Sequence, residues 1–157
     1  MIIYDNFDLT NYNSYRLKAT CRRAVFPECE NDIVEFFASG NTGKIVLGSG
    51  HNIILSKEFY EEDFLIFNGN FNEILIHDTV LEAESGAFML DLANVALHNS
   101  LSGVEIFCDI PSSLGGAVVM NAGASGEEIK DVLIKVRYLD LVDLSIREIK
   151  QEDIGFE

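Results

Sequence analysis

The sequence predicts an α+β fold built as two lobes with a cleft between them. Three observations carry this. Short apolar runs of strand length alternate with only two stretches of helical period, too irregularly for a repeating β-α-β chain. The texture changes at Asn68-Gly69-Asn70, which places a lobe boundary there and divides the chain into residues 1–69 and 70–157. Two glycine-rich segments, Gly48–Ile53 and Ile110–Gly126, offer bare backbone for close approach to something flat, large or anionic.

The opening, Phe7 to Arg16, is polar and aromatic without helical period and reads as an ordered lead-in on the surface. Asn31 or Asp32 can cap a helix running through Ile33, Val34, Phe36 and Phe37, with Gly40 as its stop. Lys44-Ile45-Val46-Leu47 is a short buried strand leading directly into the first glycine segment. Phe64-Leu65-Ile66-Phe67 is another, closed by Asn68-Gly69-Asn70. Ile74-Leu75-Ile76 and Val80 to Glu84 flank His77-Asp78-Thr79 as a hairpin. Leu90, Ala93, Leu97 and Leu101 recur at helical spacing and predict a core-facing stripe, ended by Ser102-Gly103. Pro111 suits the first turn of a further helix. Val132 to Leu139 and the region of Leu144 to Ile146 predict a second hairpin.

A chain of 157 residues, 48% hydrophobic and 24% charged, can bury a core and is not disordered in composition. No apolar run reaches the ~18 residues of a membrane span, and the N-terminus lacks the basic and apolar regions of a secretion signal. The net charge of -15, from 26 acids against 11 bases, argues against nucleic acid or an anionic membrane as partner. An anionic small molecule stays open, because backbone N–H groups in glycine loops hold phosphate without cations. Cys21, Cys29 and Cys108 are odd in number and show no metal spacing. They read as buried thiols of a protein in a reducing cytoplasm, with no metal site.

A strand running into Gly48-Ser49-Gly50-His51-Asn52 suits a phosphate cradle, and a plain turn explains it equally well. The loop lacks the third glycine of a dinucleotide fingerprint, that place being Ile53, and lacks the Gly-Lys-Ser/Thr of a P-loop. In the second segment Gly115-Gly116 permits close approach by a ring system or by another backbone. The pair together points to a nucleotide cofactor more strongly than either alone. His51 is either a ligand contact or a solvent-facing loop residue, while His77 and His98 read as turn and helix-face residues. Glu61-Glu62-Asp63 and Glu127-Glu128 read as solvated faces or helix N-terminal turns. There is no Ser/His/Asp constellation and no carboxylate pair placed for acid–base work.

In order along the chain, Asn13-Ser14-Tyr15, Leu47 to Asn52, Leu101-Ser102-Gly103-Val104-Glu105 and Asp109 to Gly126 resemble the motifs of the UDP-N-acetylenolpyruvoylglucosamine reductases, flavoenzymes of bacterial peptidoglycan precursor synthesis. The likeness covers essentially the whole chain, as the N-terminal half of that family. It implies a two-lobed FAD-binding domain of the p-cresol methylhydroxylase/vanillyl-alcohol oxidase type. By the same likeness Gly48, Ser49, Gly50, His51, Asn52 and Ile53 meet the cofactor pyrophosphate. Ile110, Pro111, Ser113, Gly115, Gly116, Asn121, Ala122 and Gly123 run along the flavin and the rest of the cofactor, and Asn13 belongs to the early motif. NADPH is the implied reductant and a nucleotide sugar bearing an enolpyruvyl ether the implied substrate.

The sequence departs from the family pattern at Asp109 and Ser112, where glycines are expected, and at His51, where a small polar residue is expected. Phe156-Glu157 resembles the start of a Phe-x-Tyr-Arg element. The family's catalytic residues belong to that element and to a C-terminal substrate domain, both expected beyond residue 157. No catalytic residue is therefore assigned here, and turnover by this polypeptide alone is not expected. Another flavin oxidoreductase, or a degenerate module of the same fold acting in packing or oligomerisation, stands beside the main reading. Without that substrate domain, self-association through the apolar surface it would have covered is expected.

Overall fold

A computed structural model describes residues 1–156; Glu157 lies outside the described residues. Its first half is a four-stranded sheet in the order β1-β2-β4-β3, from β1 (Ile2–Asp8), β2 (Thr20–Phe26), β3 (Lys44–Leu47) and β4 (Phe59–Ile66). β1 pairs antiparallel with β2, while β2 and β3 both pair parallel with β4. A central strand flanked in parallel must bury both faces, and Phe64, Leu65 and Ile66 of β4 are fully buried. Phe64 and Ile66 pack with Leu9, Cys21, Ala24, Leu47 and Tyr60 on one face. Leu65 packs with Val25 and Phe67 on the other, under Phe36 of α1 (Glu30–Ala38).

The lead-in is more than surface. β1 occupies Ile2–Asp8, a 3-10 turn follows at Thr10–Tyr12, and Leu9 and Asn13 are buried. Rings explain it: Phe7, Tyr12 and Phe26 form a mutual cluster with centroids 5.0–5.8 Å apart, which folds the turn back onto the end of β2. The cap of helix α1 lies two residues ahead of Asn31 and three ahead of Asp32, the expected positions. Cys29 is its N-cap, and Asp32 is instead the third residue of a capping box. The Asp32 carboxylate accepts from the Glu28 and Cys29 backbone N–H groups and pairs with the Met1 ammonium at 2.9 Å. Gly40, at φ 62°, ends the helix as expected.

The second half carries the hairpin of β5 (Ile74–His77) and β6 (Val80–Ala83), in the predicted place and in antiparallel register. Next come α2 (Met89–His98), a 3-10 segment at Glu105–Asp109 and the short helix α3 (Leu114–Val119). β7 (Gly123–Ala124) pairs with β8 (Glu127–Glu128), and β9 (Lys135–Asp140) with β10 (Ser145–Lys150). The core of this half is Met89, Leu92, Phe107, Ala117 and Ile129.

The stripe expected on α2 is therefore the wrong one. Met89, Leu92 and Ala96 face the core, one residue out of phase, and Leu90 and Leu97 are 50% and 73% exposed. The helix also stops at His98, with Ser100 turning the chain at φ 57°, before Ser102-Gly103. The last hairpin is joined to the first half by Arg137, whose guanidinium pairs with Glu30 on α1 (2.9 Å for Nη2–Oε2).

Only one of the three thiols is buried. Cys21 is fully enclosed and burial pushes its thiol up to about 11, while Cys29 and Cys108 are exposed. The expectation of three buried thiols fails because Cys29 sits at a helix start and Cys108 on a surface turn. A thiol reagent at neutral pH should titrate two cysteines in the native protein, the third reacting only on unfolding. Three fast-reacting thiols would contradict the packing of β2.

Candidate functional site

The two glycine segments meet in space, although Ser49 and Pro111 are 62 residues apart in the chain. β3 ends at the buried Leu47, whose carbonyl accepts from the Phe67 N–H at 2.8 Å, and this fixes where the first loop leaves the sheet. Gly50 then turns the loop at φ 73° directly over the Thr10–Tyr12 turn, where a Cβ would lie 2.0 Å from the Tyr12 carbonyl oxygen. The Ser14 N–H donates to the Gly50 carbonyl at 3.0 Å. Asn13, 2% exposed, closes the floor. Its Nδ2 donates to the Leu9 and Leu17 carbonyls at 3.0 Å each, and its Oδ1 accepts from the Leu17 N–H at 2.9 Å. Its side chain thus holds the loop that supports Gly50.

The second segment is pinned at its start to residues 85–89. Phe88 and Ser113 form an antiparallel bridge, Ser112 accepts from the Met89 N–H at 3.0 Å, and the Leu114 and Gly115 N–H groups donate to Ala87 and Ser85, each at 2.8 Å. A Cβ on Gly115 would press on Ser85 at 2.8 Å, so its bareness serves packing. The same holds for Gly123, whose Cβ would come 2.2 Å from the Glu127 carbonyl. Pro111 is not in the first turn of α3 as expected. Ser113 is the N-cap, and Pro111 stands ahead of it in a turn closed from Ser112 N–H to the Ile110 carbonyl at 2.8 Å.

Gly48 and Gly116 lie where the two segments meet, and a Cβ on Gly116 would come 3.3 Å from the Ser113 Oγ. A Cβ on Gly48 would lie 3.7 Å from the Gly116 Cα and 2.6 Å from the Ser113 Oγ. That hydroxyl is fully buried and has no hydrogen-bond partner among the described residues. Beside it the Ser49 Oγ accepts from the Ser113 N–H at 3.2 Å, lies 3.4 Å from the Pro111 carbonyl, and meets His51 Nδ1 at 3.0 Å. His51 and Asn52 are exposed, and Ile53 packs on the sheet core.

At the far end Asn121, at φ 44°, organises the next turn. It accepts from the Lys130 N–H at 3.3 Å and donates to Glu128 Oε2 at 3.0 Å. The Glu128 carboxyl is held below its usual range by the Lys130 ammonium first and the Asn121 amide second. Ile110 and Ala122 pack against the second core. The structure therefore brings Gly48, Ser49, His51, Pro111, Ser113 and Gly116 together, and leaves Asn121 to Gly123 as scaffold for the turn behind.

Composition around the junction is as telling as geometry. Residues 48–53 and 110–123 contain no acid, within a chain of 26 acids and net charge -15. A cleft of about 310 Å³ lies elsewhere, lined by Gly103, Phe107, Val132 and the acids Glu127, Glu128 and Asp131. Its carboxylates make it a poor place for phosphate. Tyr12 and Ser85 shape the site and were not singled out by the sequence, while Ser112, which also shapes it, stood out only as a departure from the family pattern. The Ser85-Gly86 pair ahead of α2 was a signal for Ser85, but nothing local marks Tyr12, whose part comes from its carbonyl.

Residues 22–147 match the family described as FAD binding domain. The UDP-N-acetylenolpyruvoylglucosamine reductase of Francisella tularensis is 38% identical over 149 residues, covering 94% of this chain and 52% of the relative. That of Borreliella burgdorferi is 36% identical over 155 residues, with coverages of 96% and 51%. The chain thus spans about half the length of the curated relatives it matches. Among solved structures, the reductase of the same name from Thermus caldophilus aligns with TM-score 0.75 over 99% of this chain and 54% of that one, at 22% identity. A solvent-stable cholesterol oxidase aligns at TM-score 0.71 and 13% identity over 97% of this chain and 34% of the other, a likeness of fold.

Proposed function

Because the chain belongs to the FAD binding domain family, we propose that it is the cofactor-binding portion of a UDP-N-acetylenolpyruvoylglucosamine reductase, holding FAD across the junction of its two glycine segments. The observation that carries this is the bare, acid-free meeting point of Gly48 and Gly116, with the buried, unpartnered Ser113 hydroxyl beside it. An unpaired buried hydroxyl costs stability unless something completes its hydrogen bonding. A phosphate oxygen is a suitable acceptor, and backbone N–H groups of the 48–53 loop supply further donors.

The residues present fit the cofactor. Gly48 to Ile53 would hold the diphosphate, and Ile110 to Gly116 would flank the rest, on a base fixed by Asn13 and Asn121. When bound, the flavin supplies two-electron hydride chemistry between a nicotinamide donor and the substrate double bond. The chain's own contribution is to bind, orient and shield from competing charge. In the whole protein the reductant is NADPH and the substrate a nucleotide sugar carrying an enolpyruvyl ether, in the cytoplasm. The two lobes divide near Asn68–Asn70, and exposed Leu97, Val119 and Val142 offer surface for self-association.

Two measurements test this. Protein purified under native conditions should show flavin absorbance near ~450 nm that passes through a filter only after denaturation. FAD added at ~100 times its dissociation constant should stabilise by about 2.7 kcal/mol, a rise in Tm of roughly 5–10 °C for a chain of this size. An unchanged Tm in saturating FAD overturns the reading.

A further inference from the structure

Resting on the flavin reading above, we propose that His51 is a cationic contact for the cofactor diphosphate, which makes cofactor affinity fall as pH rises. Within residues 48–53 and 110–123 His51 is the one titratable side chain, so in its charged form it is the only cation these segments can offer an anionic ligand. Its position is held. Nδ1 lies 3.0 Å from the Ser49 Oγ, and that oxygen is itself anchored by the Ser113 N–H at 3.2 Å. The ring is exposed, and its Nε2 has no hydrogen-bond or ion-pair partner among the described residues.

The anchor tolerates both protonation states. A neutral ring accepts the Ser49 hydroxyl proton at Nδ1. A charged ring donates from Nδ1 to the Ser49 Oγ, whose own hydrogen then turns to the Pro111 carbonyl at 3.4 Å. Either way Nε2–H remains free to donate, so the two states differ at a ligand mainly by one positive charge. Other charges stand on the elements around this loop. Asp109 precedes Pro111; Arg16 and Lys18 follow the supporting turn; Lys57 and Glu58 lie downstream. Arg16 is engaged by Asn11 and Lys57 by Glu62 at 3.2 Å.

The sign follows from linkage. A diphosphate favours imidazolium, so the complex keeps its proton to higher pH than the free protein does. The extra affinity is present where imidazole is charged, at low pH, and absent where it is neutral, at high pH. One charge-assisted hydrogen bond in place of a neutral one is worth about tenfold in affinity. FAD is the right probe because its diphosphate does not titrate near neutrality, unlike a terminal phosphate.

The experiment is an FAD titration, read by flavin fluorescence, of the wild type, His51→Gln and His51→Lys at pH 5.5 and 8.0. Circular dichroism confirms that each is folded. The wild type should bind about tenfold more tightly at pH 5.5. His51→Gln should be weak and nearly flat with pH, and His51→Lys tight and nearly flat. Equal pH dependence in the wild type and His51→Gln overturns the role of His51 while leaving the flavin reading intact. Absence of FAD binding by all three at both pH values sinks the flavin reading itself.

Discussion

Gly50→Ala is expected to destabilise the protein by roughly 3 kcal/mol, and Gly40→Ala by only about 1 kcal/mol. Both glycines sit at left-handed φ, 73° and 62°, so both substitutions carry the same backbone penalty. They differ in what a Cβ would meet. At Gly40 the nearest atom is the Thr42 Oγ1 at 4.0 Å, ordinary contact. At Gly50 it is the Tyr12 carbonyl oxygen at 2.0 Å, with the Asn13 Cα at 3.0 Å. Those are backbone atoms, and they cannot swing away. Tyr12 is held by its rings against Phe7 and Phe26, and Asn13 by its three amide hydrogen bonds. Moving them means moving the turn that supports the first glycine loop, so FAD affinity should fall as well. Urea unfolding of the two variants beside the wild type checks this. Equal losses would show that the Thr10–Tyr12 turn does not back the loop.

The contrast between those glycines also measures what the sequence could disclose. Local signals were readable where the structure is local: the helix stop at Gly40, the strand running into Gly48, and the hairpin around His77-Asp78-Thr79. Both glycine segments were visible as motifs. β2 was not, because Arg22 and Arg23 sit in its middle. Its place depends on Arg22 pairing with the buried Asp63 of β4, 41 residues on. The α2 face was misread because Leu90, Ala93, Leu97 and Leu101 make an apolar stripe as regular as the true one. Helical period cannot say which of two adjacent stripes a distant core will cover. For the same reason no spacing rule distinguished the glycines crowded from within their own half, at 50, 115 and 123, from Gly48, which is crowded by Ser113 of the other glycine segment. That distinction exists only once segments 62 residues apart are folded together.

Gly48→Ala and Ser113→Ala should each alter the protein alone and partly cancel when combined. A Cβ on Gly48 would lie 2.6 Å from the Ser113 Oγ but at an ordinary 3.7 Å from the Gly116 Cα, so the hydroxyl is the obstacle. Ser113 is fully buried, which leaves its oxygen little room to rotate. Gly48→Ala should therefore cost about 1–3 kcal/mol, the usual range for overfilling a packed site. Ser113→Ala removes a buried hydroxyl that lacks a partner, so the cofactor-free protein should be unchanged or stabilised by about 1 kcal/mol. In the double variant the new methyl occupies the space the oxygen leaves. Stability should recover, with a coupling of about 1–2 kcal/mol in a double-mutant cycle. Cofactor affinity should behave differently. Ser113→Ala should weaken FAD binding by about tenfold, through loss of a hydrogen bond to a charged oxygen, and the double variant should stay weak despite its restored fold. A strictly additive cycle would mean that the segments do not meet through this oxygen. Unchanged FAD affinity in Ser113→Ala would mean that the hydroxyl serves packing alone.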